Sequence, residues 1–259
     1  MLNTIFSIPM EYDRHFEVIR AATPKLVREA YRLRYQVYCV ENPYEDPEQQ
    51  VGACESDDED DRSIHTLLLH RRTGEIAGTS RVILPDQQGH RPLPMATLLY
   101  GADRRRFDSF PVDHTAELSR FAVSKEFRKR RGEERYADAG FGDSSSVETE
   151  RRLMPFVSLG LIRGMFGICL EHGISHIAAV MEPALIRILH KLGLEFAPVG
   201  GVVVHHGLRR PCIARLDDLI EHSRENETLV WQYAMEPLLR EHNDPRRQVA
   251  MEPAYQMAV

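Results

Sequence analysis

Two charged residues, Glu117 and Arg120, stand in "TAELSRFAV" (115–123), a segment whose apolar residues otherwise read as a buried strand. Charge buried without a partner is costly, so the two either brace each other or belong to a site. Burial raises a carboxyl pKa, which suits Glu117 to accepting a proton from a reacting group, directly or through water. Two further arginines fall in apolar patterns: Arg34 shares a helix face with Leu26, Val27, Ala30, Tyr31, Val37 and Tyr38, and Arg81 lies inside "EIAGTSRVIL". Other clusters carry less. His205 and His206 lack a third ligand at suitable spacing, and "DDEDD" lacks the glycine of a calcium loop, so no metal is expected. Cys39, Cys54, Cys169 and Cys212 form no CxxC and none pairs with a local histidine, which argues against zinc, a disulfide framework and a thiol nucleophile.

The elements that must position these residues follow from periodicity and punctuation. "FEVIRAA" reads as a strand, and Thr23-Pro24 as the cap and first residue of a helix through "KLVREAYRLRYQVYCVE". A polar loop, "NPYEDPEQQVGACESDDEDDRS", leads to a hairpin of "IHTLLLH" and "EIAGTSRVIL" around "RRTG". A long connection with a short helix at "MATLLY" precedes the "ELSRFAV" strand, and a second polar loop runs from Lys125 to about Glu150. A core helix from about Leu153, the strand "HIAAVM" and the helix "EPALIRILHKLG" follow, the last bounded by Pro183 and Gly193. "APVGGVVVHH" and "PCIARL" read as a closing strand pair, with two peripheral helices after them. The order β, α, β, β, β, α, β, α, β, β is a mixed α/β sandwich with one central, mostly antiparallel sheet flanked by helices. One domain is expected over residues 1–243, with a frayed tail at 244–259.

The 259 residues, 42% of them hydrophobic, suffice for a sizeable core. A net charge of -6 gives no overall pull toward nucleic acid. The N-terminus has no basic n-region, and the most apolar window, "LMPFVSLGLIRGMFGICLEHG", is interrupted by Arg163 and glycines, so neither a signal peptide nor a membrane span is expected. A cytosolic protein fits these features.

The chain resembles the autoinducer (acyl-homoserine-lactone) synthases, a GNAT-like family, through four elements in family order: "RYQVY" at 34–38, "ESDDEDD" at 55–61, "GTSRVIL" at 78–84 and "ELSRFAV" at 117–123. The resemblance implies a GNAT-like acyltransferase fold and carries the family's site onto Arg34, Tyr38, Asp57, Asp60, Arg81, Glu117 and Arg120. "AAVMEPALIRILHKLG" also looks like the family's later strand and helix, and the similarity spans roughly residues 16 to 216. The family's tryptophan after the first helix is replaced here by "ENPYEDP", and the tryptophan of this chain is Trp231. With its longer 125–150 loop and C-terminal extension, the chain looks more like the N-acyl amino acid synthases, closest to the acyltransferases of the bacterial PEP-CTERM/exosortase system. That implies a long-chain acyl donor on acyl carrier protein and a small amine acceptor, with an S-adenosylmethionine-using synthase or a non-catalytic carrier-protein or lipid binder as alternatives.

Acyl transfer from a thioester to an amine needs an oxyanion donor and a proton acceptor. By fold analogy the donor is a backbone N–H at Phe121, Ala122 or Val123, where the strand splays or bulges. The arginines with Asp57, Asp60 and Glu117 suit either a buried network or the holding of an amino acid acceptor. Taken alone, the acidic run reads as a solvated loop. "FRKRRGEE" has a single glycine and so a poor phosphate nest, which favours carrier protein over coenzyme A, with no tightly bound cofactor. Arg128, Lys129, Arg130, Arg131, Arg151 and Arg152 offer an acidic carrier protein a dock, and Leu159, Ile162, Phe166 and Val180 an acyl lining.

Overall fold

The computed structural model describes residues 8–127, 156–205 and 207–243. Helix α1 (Ile8–His15), absent from the sequence reading, runs directly into strand β1 (Phe16–Arg20). The Thr23-Pro24 start forms as expected: the Leu26 N–H donates to Thr23 Oγ1 at 3.3 Å, and proline occupies a position whose N–H would go unpaired. Helix α2 (Pro24–Tyr35) buries Ala30, Leu33 and Arg34, then widens into a π-helical turn over Gln36–Glu41. Such one-turn insertions recur at functional sites, and this one carries Tyr38.

Strands β2 (Ser63–His70) and β3 (Ile76–Ile83) make the expected hairpin, and β4 (Thr115–Val123) pairs antiparallel with β3. The connection holds a tight turn at Pro94–Leu98 and an unforeseen helix, α3 (Gly101–Asp108). Its sequence, "GADRRRFD", buries only Phe107 and so offers no apolar period to read. Then come α4 (Ser158–Glu171), β5 (His176–Met181), α5 (Pro183–Lys191), the short β6 (Ala197–Pro198) and β7 (Val203–Val204), β8 (Leu208–Arg215), α6 (Leu216–Glu225), a π-helical turn at Trp231–Met235 and α7 (Glu236–His242).

The strand order is β1-β2-β3-β4-β5-β8-β6, with β7 paired to β8. Only β4 and β5 pair in parallel among the described residues. Helix α4 lies across β1 to β4, with Leu161, Ile162 and Met165 packed into a core that includes Leu68 and Val82. Glycine permits the close approach: a Cβ on Gly164 would meet Thr66 Cγ2 at 2.2 Å, and one on Gly160 would meet Leu68 at 2.6 Å. The last helical segment is not peripheral, as expected, but core: Val230, Tyr233, Ala234 and Met235 are buried with α4. Tyr12 joins these parts, donating to Val157 O at 2.6 Å with its ring 4.6 Å from that of Tyr233. On the other sheet face Ile83, Met95, Phe107, Ala178 and Ile213 form a second core.

Candidate active site

Strand β4 parts from its two neighbours differently. Toward β5 the pairing ends at Leu118↔Ala179, and Ser119, Arg120 and Phe121 line the cleft beyond it. Toward β3, Arg81 lies opposite Ser119 and Thr79 opposite Ala122, which leaves Ser80 facing both Arg120 and Phe121. This is a β-bulge, and Arg120 sits in it at φ 49°, a region seldom used by a bulky residue. Strict alternation would turn Arg120 onto the α4 side of the sheet; the extra residue returns it to the face of Glu117 and Ser119. The disruption thus lies at residues 120–121, just before Ala122 and Val123. The Ser124 N–H donates to Ala77 O at 2.9 Å, so by ladder alternation the main chain of Val123 turns away from β3. The Phe121 carbonyl accepts from Tyr38 Oη at 3.3 Å.

On that face the three arginines converge on four carboxylates. Arg34, fully buried, donates from Nε to Glu55 at 2.5 Å and from Nη1 to Asp60 at 2.7 Å. Arg81 donates to Asp57 at 2.5 Å, to Asp60 at 2.8 Å and, through Nε, to Ser119 Oγ at 2.9 Å. The Nη2 of Arg120 reaches Glu55 at 2.9 Å, Asp57 at 3.1 Å and Glu45 at 3.2 Å, and its guanidinium lies 5.6 Å from the Tyr38 ring centroid. Burial pushes the Asp60 carboxyl up, but Arg34 and Arg81 outweigh it and hold the group at about 2. Glu55 is likewise held below the carboxylate range, burial being overcome by Arg34 and Arg120. Burial opposes the Arg120 charge too, and Glu55 and Asp57 overcome it, so the guanidinium stays charged. Asp57 and Asp60 also close a capping box, which folds the loop into a short turn, Asp58–Arg62. The acidic run is therefore not simply solvated: the Asp60 side chain is 6% exposed.

Glu55 and Glu45 were missed as site residues. Glu55 heads the acidic run and Glu45 lies in "NPYEDP", and nothing periodic marks either. The Glu55 N–H donates to Tyr31 O at 3.0 Å, a contact that turns the carboxylate under α2. His65, also unforeseen, lies buried 3.5 Å from Asp60, and burial with the Arg34 charge lowers it to about 4.

Glu117 stands apart from this network. Of its two readings, the brace to Arg120 does not form; instead the Met95 N–H donates to Glu117 Oε2 at 2.7 Å. Glu117 is 4% exposed, and burial raises its carboxyl to about 7 despite that hydrogen bond. The other oxygen has no partner among the described residues.

The cleft opens into a cavity of about 540 Å³ lined from both sides of the split sheet. One end holds Tyr38, Asp57, Arg81, Glu117, Ser119 and Arg120. The other is apolar, lined by Met165, Leu185, Leu189, Leu194 and Phe196 together with the expected Ile162, Phe166 and Val180. Leu159 is not part of this lining and lies in the core against the sheet.

An antiparallel sheet whose fourth strand bulges and splays from a parallel fifth is a specific architecture. Residues 33–137 match the acetyltransferase (GNAT) domain family. The fold is GNAT-like. Solved structures with the GNAT-like fold of this chain include TofI in a ternary complex with an inhibitor and MTA (TM-score 0.53, 18% identity, covering 79% of this chain and 96% of that one). Another is BjaI, a CoA-dependent acyl-homoserine lactone synthase with SAM and isopentyl-CoA (TM-score 0.52, 18% identity, 83% and 90%). FeeM, an N-acyl amino acid synthase from uncultured soil microbes, is similar too (TM-score 0.52, 16% identity, 84% and 97%). No curated protein sequence matches the chain.

Within this GNAT-like frame Arg34, Tyr38, Asp57, Asp60, Arg81 and Arg120 are brought together, with Glu117 at the same cavity on a separate contact. The basic residues Arg128, Lys129, Arg130, Arg131, Arg151 and Arg152, like the tail at 244–259, lie outside the described residues. His205 lines the cavity, and among the described residues no His, Cys, Asp or Glu cluster is arranged to hold a metal. No described helix is long and apolar enough to cross a membrane.

Proposed function

We propose that this protein is an N-acyltransferase that moves a long-chain fatty acyl group from the phosphopantetheine thioester of acyl carrier protein to the amino group of a small acceptor, an amino acid in the first instance. The observation that carries the reading is the split between β4 and β5, where a buried carboxylate, a bulged strand edge and an apolar pocket border one cavity. In this reading the neutral amine attacks the thioester carbonyl from the Glu117 side. The tetrahedral oxyanion meets a backbone N–H at 121–123, the ammonium proton passes to Glu117, and the C–S bond breaks to release a thiolate that takes this proton, directly or through water, to leave as the free thiol. A carboxyl near 7 suits that transfer at neutral pH. The acyl chain occupies the pocket between α4 and α5.

The arginines are assigned a positioning role, because each is already engaged by carboxylates. They fix the 45–60 loop as one wall of the acceptor end. Carrier protein as donor rests on the single glycine of "FRKRRGEE" and its basic neighbours.

The test is mass spectrometry of lipids from cells expressing the protein beside an Arg120→Ala control. N-acyl amines absent from the control support the reading. Acyl-homoserine lactones would redirect it to the synthase reaction, and no new lipid would favour a non-catalytic binder.

A further inference from the structure

The acceptor end of the cavity is more anionic than acylation of a simple amine requires. Its guanidiniums are committed: Arg81 and Arg120 to the network, and Arg209 to Glu182 at 2.5 Å. Asp57 is held by two arginines, and Glu59 by Arg62 at 2.5 Å. Asp58 differs. The residue is exposed and lines the same cavity, and its carboxylate has no ion pair or hydrogen bond among the described residues. Its backbone is fixed, since Arg91 Nη2 donates to Asp58 O at 2.6 Å. A second observation points to a ligand here: Glu117, 4% exposed and lining the cavity, leaves Oε1 without a partner among the described residues. Two residues lining the cavity thus carry carboxylate oxygens without partners among the described residues, Glu117 buried beside the split strand and Asp58 exposed on the rim.

We propose that the acceptor is a dicationic amine, one amino group presented at Glu117 for acylation and a second cationic group held by Asp58. This rests on the acyl-transfer reading and narrows its acceptor. Two ammonium groups on a short methylene chain match two carboxylates in one cavity, whereas a neutral side chain would leave Asp58 unanswered. The chemistry has two sources, a basic amino acid or a diamine without a carboxylate.

The experiment supplies the full chain with acyl carrier protein thioester and four acceptors: lysine, norleucine, 1,5-diaminopentane and pentylamine. Expected is a higher kcat/KM for the doubly cationic member of each pair, by about two- to fivefold, as for an exposed charge pair. Asp58→Asn should erase both ratios, and Asp58→Glu should keep them. Efficient use of 1,5-diaminopentane identifies a diamine, and use of lysine alone a basic amino acid; both support the proposal. Ratios near one in the wild type, or ratios that survive Asp58→Asn, overturn it while the acyltransferase reading stands. Failure to acylate any of the four overturns both.

Discussion

The backbone N–H of Met95 donates to Glu117 Oε2 at 2.7 Å, so the turn at Pro94–Leu98, not Arg120, holds this carboxylate at the cleft. The two charged residues of "ELSRF" thereby part company: Arg120 joins the loop network through a bulge, and Glu117 remains alone at the split in the sheet. Arg120 is a brace, and among the described residues Glu117 keeps only its hydrogen bond from Met95.

Glu117→Gln should lower kcat/KM by about a hundredfold or more, the usual contribution of a general base. In the wild type kcat/KM should rise with pH through about 7, as Glu117 ionises. The variant should lose that limb. A retained limb would assign it to another group.

The same carboxyl carries a stability signature. Its folded-state pKa is raised from 4.5 to about 7, so the folded state keeps a proton that the unfolded chain has released. Its contribution to stability is therefore fully present below 4.5 and lost as pH rises through about 7. His65 acts oppositely: lowered from 6.5 to about 4, it costs stability as pH falls across that interval, because the unfolded chain takes up the proton first. Denaturant titrations across pH should show Glu117→Gln more stable than wild type above pH ~7, and His65→Gln without the acid-side loss.

Arg34→Ala would leave Glu55 and Asp60 buried without their shared cation. A loss of about 3–5 kcal/mol is expected in denaturant unfolding, the cost of breaking a buried pair from one side. A loss below about 1 kcal/mol would mean that water enters the network and replaces the guanidinium.

Gly164→Ala should destabilise by about 1–3 kcal/mol, because the new Cβ overlaps Thr66. Thr66→Ala in the same chain should recover part of it, measured as a double-mutant cycle.

Leu189→Trp fills the apolar end of the cavity and should shift acyl preference to shorter chains, read by competition between thioesters of different length. An unchanged preference would move the acyl chain elsewhere.

What the sequence made legible, and what it did not, has physical causes. Arg34 was readable as inward because it shares a helical period with apolar neighbours, and the Thr23 cap because its chemistry is local. The main strands were readable from their short apolar runs, and the hairpin from the "RRTG" turn between two of them. Glu55 and Glu45 were not, because loop carboxylates acquire burial only from the arginines that fold over them. Helix α3 hid behind its charged sequence, and the core role of Tyr233 depends on Tyr12, 221 positions away along the chain by number. The bulge at Arg120 leaves no mark in composition, since only pairing with β3 reveals the extra residue.

The most direct measurement is a single-turnover assay of purified protein with long-chain acyl carrier protein, following free carrier thiol with and without added amine and weighing the product. Amine-dependent thiol release matched by an equal amount of N-acyl amine is expected, with loss of both in Glu117→Gln. Thiol released without amide, or a thioester left intact whatever amine is supplied, would contradict the acyl-transfer reading.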